Sequence, residues 1–338
     1  MTRAALQFLC ELAAHLERSG ADLVIDADTH ITDLRTLSGP LRERYETSPN
    51  YYHGRPVSAE DLLCEMEMAR VDAALSWQNP AATSYTSDLD QNAEKLLAAN
   101  RYVRDNAVKY LGRFIPGGWT DPKACGVEAA KRIAEACVLE FGFPFVKMNP
   151  AQNAYAIDSA EVIAVLDHIV ELGAVPAFHF GADTPFTPAE GLEKLLFRHP
   201  GHPFLAVHMG GGGAGYLEAE SLYVKARLLG LKHPNLRFAL SAKRDTHIES
   251  DLIAYQLAGE QFSRNLMCGS DAPYGRMTWN FGGYRWMFRS LMDGARHTDP
   301  RLKSRPGAFT EHAVAGYLGG NLARLTLETC RRLLTQCS

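Results

Sequence analysis

Short apolar runs alternate along the chain with longer segments whose apolar residues recur every three or four positions. The runs are Leu23–Ala27, Val71–Ser76, Tyr110–Pro116, Phe145–Met148, Ala174–Phe180, Phe204–Val207, Leu236–Leu240 and Leu266–Cys268. Their length and their polar or glycine boundaries predict buried strands. The intervening stretches Asn92–Val108, Gly126–Phe141, Ala160–Leu172, Ala189–Arg198, Tyr216–Leu229 and Ile248–Gln261 predict helices. Strands that alternate with helices pair in parallel, and eight such units predict an α/β fold, the (β/α)8 TIM barrel. An open doubly wound sheet would carry a GxGxxG turn after its first strand, whereas here THITD follows. Ahead of the first run, Leu6, Leu9, Leu12, Ala13 and Leu16 share one face of a helix that Gly20 ends. The expected organisation is an N-terminal amphipathic helix over 1–20 and a single barrel domain over 21–335.

Composition narrows the class of partner. The 338 residues are 46% hydrophobic and 22% charged, with net charge -4 and basic residues scattered along the chain. That pattern excludes nucleic acid and anionic membrane surfaces and leaves small molecules. Seven cysteines, an odd number without a CxxC pair, argue against a disulfide framework or a zinc ribbon and for the cytoplasm. No apolar run is long enough to cross a bilayer. The first twenty residues carry Glu11, His15, Glu17 and Arg18, unlike a signal peptide.

In a (β/α)8 barrel the active site sits at the C-terminal ends of the strands. Polar residues gather there: Asp28 and His30 after the first run, Lys147 and Asn149 at the fourth, His179 at the fifth, His208 at the sixth, and Ser270 and Asp271 at the eighth. Strict alternation along a strand would put Asp26, Asp28 and His30 on one face. Asp28 and His30 then share a metal near the mouth, with Asp26 one layer deeper, and His179 and Asp271 approach from across the barrel. Two imidazoles and two carboxylates suit zinc, or a harder ion such as manganese, one per subunit. Asp26 reads as a structural hydrogen-bonding group. The glycines after His208 read as a tight turn, since no P-loop lysine follows.

VIDADTHI, FVKMNP, PAFHFG, FLAVHMGGG, CGSDAPYG and LGGNLARLTL, in that order from Leu23 to Leu327, resemble the amidohydrolase superfamily. The similarity is to the amidohydrolase-related group that includes the aminocarboxymuconate-semialdehyde and γ-resorcylate decarboxylases. By this resemblance Asp28, His30, His179 and Asp271 are metal ligands, and His208 and Asp271 are catalytic. Most members carry His-x-His on the first strand, whereas this chain has Asp28-x-His30; the γ-resorcylate type also places a carboxylate first. Lys147 is expected to hold a substrate carboxylate or to fill the barrel as a charged partner, rather than to bridge two metals, because Asp28 already supplies a carboxylate. The long loop after the first strand contributes Tyr52, His53 and Arg55 as substrate-binding residues, and PYGRMTW contributes Tyr274 and Arg276.

Three activities are compatible with this set. The first is metal-dependent hydrolysis of an amide or lactone of a small organic acid, favoured because hydrolysis dominates the superfamily. The second is non-oxidative decarboxylation of an aromatic or muconate-type acid. The third is a metal-free barrel with a binding role. Homo-oligomerisation is a further implication of the resemblance.

Overall fold

A computed structural model describes residues 1–49, 54–182, 185–213 and 220–336. Eight strands follow one another around a single sheet: β1 (Ile25–Ile31), β2 (Ala73–Gln78), β3 (Phe114–Trp119), β4 (Phe145–Met148), β5 (Val175–His179), β6 (Phe204–Val207), β7 (Leu236–Ala239) and β8 (Leu266–Met267). Every sequential pair is parallel. Backbone bonds from Ala27 N to Cys268 O (3.0 Å), Asp271 N to Asp28 O (2.8 Å) and His30 N to Ala272 O (2.7 Å) join β8 to β1. The expected (β/α)8 barrel is therefore the fold. Helices including Leu89–Lys109, Ala160–Glu171, Ala189–Arg198 and Asp245–Ala258 surround it and bury apolar faces against the strands.

β1 to β3 differ in extent from the runs read in the sequence. β1 continues through Asp28 and His30 to Ile31 because the barrel interior and the neighbouring strands satisfy its polar side chains. β2 reaches Trp77 and Gln78. β3 starts at Phe114, after Tyr110 has capped the helix Leu89–Lys109. It runs through Gly117, where a side chain would stand 2.1 Å from the Trp77 ring. The absence of a Cβ there lets that indole lie inside the barrel.

The N-terminal helix, Arg3–Ser19, is capped by the Thr2 hydroxyl. It buries Phe8, Leu9, Leu12 and Leu16. Thr2 N donates to Leu139 O at 2.7 Å, just ahead of β4, and Arg331 of the last helix, Asn321–Gln336, meets Glu17 at 2.6 Å. The helix thus lies at the N-terminal end of the barrel, away from the strand ends that carry the polar residues. Among the described residues no helix is long and apolar enough to cross a membrane.

Candidate active site

The register of β1 against β2 decides which acids meet. Asp26 pairs with Ala74, Thr29 with Ser76 and His30 with Trp77. Three steps along β1 therefore match two along β2, which is a one-residue bulge. Ala74 and Trp77 lie on opposite faces of β2, so Asp26 and His30 lie on opposite faces of β1. This corrects the expectation that Asp26, Asp28 and His30 share a face. The bulge turns Asp26 out of the barrel and leaves Asp28 and His30 within it.

Asp26 is buried and accepts from Asp28 N (3.1 Å) and Ser270 N (2.9 Å), with the Ser270 hydroxyl on its other oxygen. Burial pushes its pKa up to about 8, against the pull of those bonds. It is a structural acid between β1 and β8.

Asp28 is fully buried. Its Oδ1 accepts from Trp77 Nε1 (3.1 Å) and Lys147 Nζ (3.2 Å), and its Oδ2 from Ser241 Oγ (2.7 Å). Three of its roughly four acceptor positions are filled. Burial opposes its charge, yet Lys147, His208 and His30 together hold its pKa well below the usual carboxylate range. Lys147 is itself buried, with Nζ 5.1 Å from the ring centroids of both Trp77 and Trp119. Its ammonium is an internal partner of Asp28, stacked between two indoles.

His30 Nδ1 lies 2.8 Å from the Gln78 carbonyl, which accepts only, so the proton sits on Nδ1. His30 Nε2 faces Asp271 Oδ1 at 3.5 Å and Asp28 Oδ1 at 3.9 Å. One ligand atom from each of Asp28, His30 and Asp271 lies within 4.8 Å of the others. An imidazole tied through one nitrogen to a carbonyl, with its other nitrogen among carboxylates, is how histidine is presented to a metal. The donor set fits a divalent cation.

Asp271 closes the cluster from β8. Its φ of 60° is in the left-handed region, which aspartate tolerates better than most residues. Its side chain is 13% exposed, against 3% for His30 and 0% for Asp28, so it is the member open to a substrate.

His208 follows β6 with φ 76°, and Met209 with φ 45°; strained backbone of this kind collects at functional sites. His208 Nδ1 lies 2.9 Å from Ser241 Oγ and 3.6 Å from Asp28 Oδ2. Burial lowers its pKa to about 4. His179 stands edge-on to His208, ring centroids 4.7 Å apart, and lies outside the three-residue cluster. A Cβ at residue 181 would fall 2.6 Å from His179 Nε2, so Gly181 leaves that nitrogen room.

Of the expected substrate-binding residues, Lys147 touches the cluster through Asp28, and Tyr274 packs against His30. Its ring is edge-on to His30 at 5.7 Å, and its hydroxyl donates to Asn79 Oδ1 at 2.6 Å. Arg276 caps the helix Met277–Met292, with Nε 3.6 Å from Glu65 Oε1. Arg55 donates to Tyr45 O (3.1 Å) and lies 4.2 Å over the Tyr45 ring. Tyr52 and His53 lie outside the described residues. Sequence reasoning missed Trp77, Gln78 and Ser241. The strand-end rule that singled out His208 would have reached Ser241, which directly follows the run Leu236–Leu240; Trp77 had no signal to separate it from a core indole.

The sequence matches the family model described as Amidohydrolase over residues 25–325. No curated protein matches it. Among solved structures the fold is similar to 5-carboxyvanillate decarboxylase from Sphingomonas paucimobilis (16% identity, 90% of this chain and 98% of that one, TM-score 0.61). It is similar to the same enzyme from Novosphingobium aromaticivorans, solved with manganese and 4-hydroxy-3-methoxy-5-nitrobenzoic acid (15%, 91% and 97%, 0.63). A dihydroxybenzoic acid decarboxylase from a Polaromonas species, solved with manganese and 2-nitroresorcinol, is a third (14%, 89% and 96%, 0.61). Matched by that family model from β1 almost to its last helix, and folded as a (β/α)8 barrel with its polar cluster at the C-terminal mouth, this chain belongs to the amidohydrolase family.

Proposed function

We propose that the protein is a metal-dependent, non-oxidative decarboxylase of a small aromatic carboxylic acid, with Asp28, His30, His179 and Asp271 as the metal-binding set. The sequence alone placed hydrolysis first and decarboxylation second; the order is now reversed. The observation that carries the reading is the likeness of the fold to decarboxylases of aromatic acids, and the charge of the site is consistent with it. Asp28 and Asp271 bring two negative charges, Lys147 one positive, and His208 is neutral. A dication leaves the pocket with one positive charge, which a substrate carboxylate cancels. In a hydrolase a hydroxide would cancel the same charge, so the preference for decarboxylation comes from the similar folds. Trp119 and Tyr274, edge-on to His30 at 5.9 and 5.7 Å, offer walls for an aromatic ring. The similar folds belong to decarboxylases of aromatic acids, two of them solved with manganese. One or two imidazoles with two carboxylates favour manganese over zinc.

When bound, the cation supplies a Lewis-acid anchor for the substrate's carboxylate and an adjacent oxygen. Lys147 and Trp77 keep Asp28 ionised and fixed. Asp271, ionised in the resting site, takes up a proton from solvent and delivers it to the ring carbon that bears the carboxylate. The carbon–carbon bond then breaks, its electron pair stays with the ring and restores aromaticity, and carbon dioxide leaves. Asp271 is left as the carboxylate it was before substrate bound. His208, protonated on Nδ1, presents the Nε2 lone pair as an acceptor for a substrate hydroxyl. The deciding experiment assays manganese- and zinc-loaded protein against hydroxybenzoates, lactones and amides, reading carbon dioxide and acid release separately. Carbon dioxide from a hydroxybenzoate is expected; acid release from a lactone or amide with no carbon dioxide from any acid would overturn the reading.

A further inference from the structure

The helix Met277–Met292 is apolar on two sides. Met277, Phe281, Tyr284, Met287, Phe288 and Leu291 bury one side in the core. The other side carries Trp279 and Trp286, 74% and 72% exposed and two turns apart on one stripe. A helix that is apolar all round belongs in an interior, and this one has only half of its surroundings within the chain. Between the two indoles stand Gly282 and Gly283. Glycine destabilises a helix interior relative to alanine, and the fold gives no reason for either one. Neither has a positive φ, and a Cβ at either position would meet open space. A bare stretch of backbone between two exposed indoles is what the close approach of a second helix requires. The stretch Trp-Asn-Phe-Gly-Gly-Tyr-Arg-Trp also reads alike in both directions: indole, polar, aromatic, glycine, then the reverse.

We propose that this face is an interface between two copies of the chain, whose helices Met277–Met292 cross antiparallel on a two-fold axis at Gly282–Gly283. A two-fold interface sets one patch against itself, and a sequence that reads alike in both directions about the axis does so without mismatch. Trp279 of each copy then meets Trp286 of the other. Arg276, which comes opposite Arg289, is already paired with Glu65 at 3.6 Å, so the two like charges do not stand bare. Four indoles at this exposure bury roughly 600 Å², about half of the ~1,200 Å² at which stable interfaces begin. An unrelated partner would gain the two indoles of one chain only. The helix Ala59–Ala69 lies alongside, its Glu65 Oε1 accepting from Met277 N at 3.0 Å, and adds Met68, 65% exposed, to the apolar surface.

The inference does not depend on the proposed activity, and its test reads mass alone. The full chain and two variants are compared by sedimentation velocity over the micromolar range. W279E/W286E should sediment at half the mass of the wild type with an unchanged far-UV spectrum, since both indoles are at the surface. G283L places a side chain where the two backbones approach while favouring the helix itself. It should weaken association at least about tenfold, as overpacking of a close contact does, and leave the separated chain no less stable to heat. G283L also keeps the test decisive if the double variant does not fold. A monomeric wild type, or an assembly that persists unweakened in either variant, would overturn the interface.

Discussion

Ser241 Oγ lies 2.7 Å from Asp28 Oδ2 and 2.9 Å from His208 Nδ1. The ionised Asp28 only accepts, so the Ser241 proton points to it, and the serine oxygen must accept from His208. Nδ1 of His208 is therefore protonated and its Nε2 carries the lone pair. One hydroxyl bridges the ionised Asp28 and His208 and fixes the tautomer of the histidine. Ser241→Ala removes the donor and the acceptor together. The expected result is a kcat loss of about 10–100-fold, as for other groups that orient metal or catalytic ligands, with KM nearly unchanged. Nitrogen chemical shifts of His208 should report a mixture of tautomers; a single unchanged tautomer with full kcat would show that Ser241 orients nothing.

Asp271 is the one cluster member with a partly exposed side chain, and the hydrogen bond its backbone N–H donates to Asp28 O holds its backbone independently of its charge. Asp271→Asn should leave the far-UV and near-UV spectra intact while turnover falls by at least about 10³-fold, within the range for loss of a proton-transfer group. Turnover within tenfold of wild type would remove Asp271 from the chemistry.

Metal content separates the two histidines. His30 is tied by the Gln78 carbonyl with its free nitrogen among carboxylates, whereas His179 lies against His208. His30→Ala should lose most of the bound metal at equilibrium dialysis, and His179→Ala should reduce it. Elemental analysis showing full stoichiometry in His179→Ala would leave Asp28, His30 and Asp271 as the whole protein ligand set.

The barrel was legible in the sequence because buried parallel strands are apolar on both faces, so seven of the runs stand out from their helices whatever their neighbours do. β1 was harder. Its second half is polar, and only the interior donors Trp77, Lys147 and Ser241 make a strand of it. Strict alternation misplaced Asp26 because the bulge is a property of the β1–β2 pairing and leaves no mark on β1 alone. His208 and Asp271 were readable because each ends an apolar run at a turn. Gln78 was not, because it acts on His30 through its backbone carbonyl, which every residue possesses. Lys147 was found, but its partner Asp28 is 119 residues away in sequence, so an internal ion pair could not be told from a substrate anchor.

Lys147 can be tested on that point. Lys147→Met leaves the buried Asp28 charge without its cation. Breaking a buried pair costs about 3–5 kcal/mol, so the metal-free variant should show a sharply lower Tm. Added manganese should then raise Tm more in the variant than in the wild type, because a dication replaces the missing charge. A raised KM with unchanged Tm would instead assign Lys147 to substrate binding alone.

Asp26 yields a pH prediction with a definite sign. Its pKa stands at about 8 in the folded protein against an ordinary 3.8. Between about pH 4 and 8 the folded chain keeps a proton that the unfolded chain has released. Stability therefore falls as pH rises through that window, and the contribution is fully present below its lower edge. Asp26→Asn should suit the site. The amide oxygen accepts from Asp28 N and Ser270 N as the carboxyl does, and the Ser270 hydroxyl, which donates to Asp26 Oδ2, turns to accept from the amide N–H. Urea unfolding from pH 5 to pH 9 should give a variant that loses less stability with rising pH than the wild type and exceeds it near pH 9. A variant less stable than wild type by the same margin at every pH would mean that Asp26 acts by shape alone. One whose deficit grows with pH would mean that the folded protein needs the carboxylate charged.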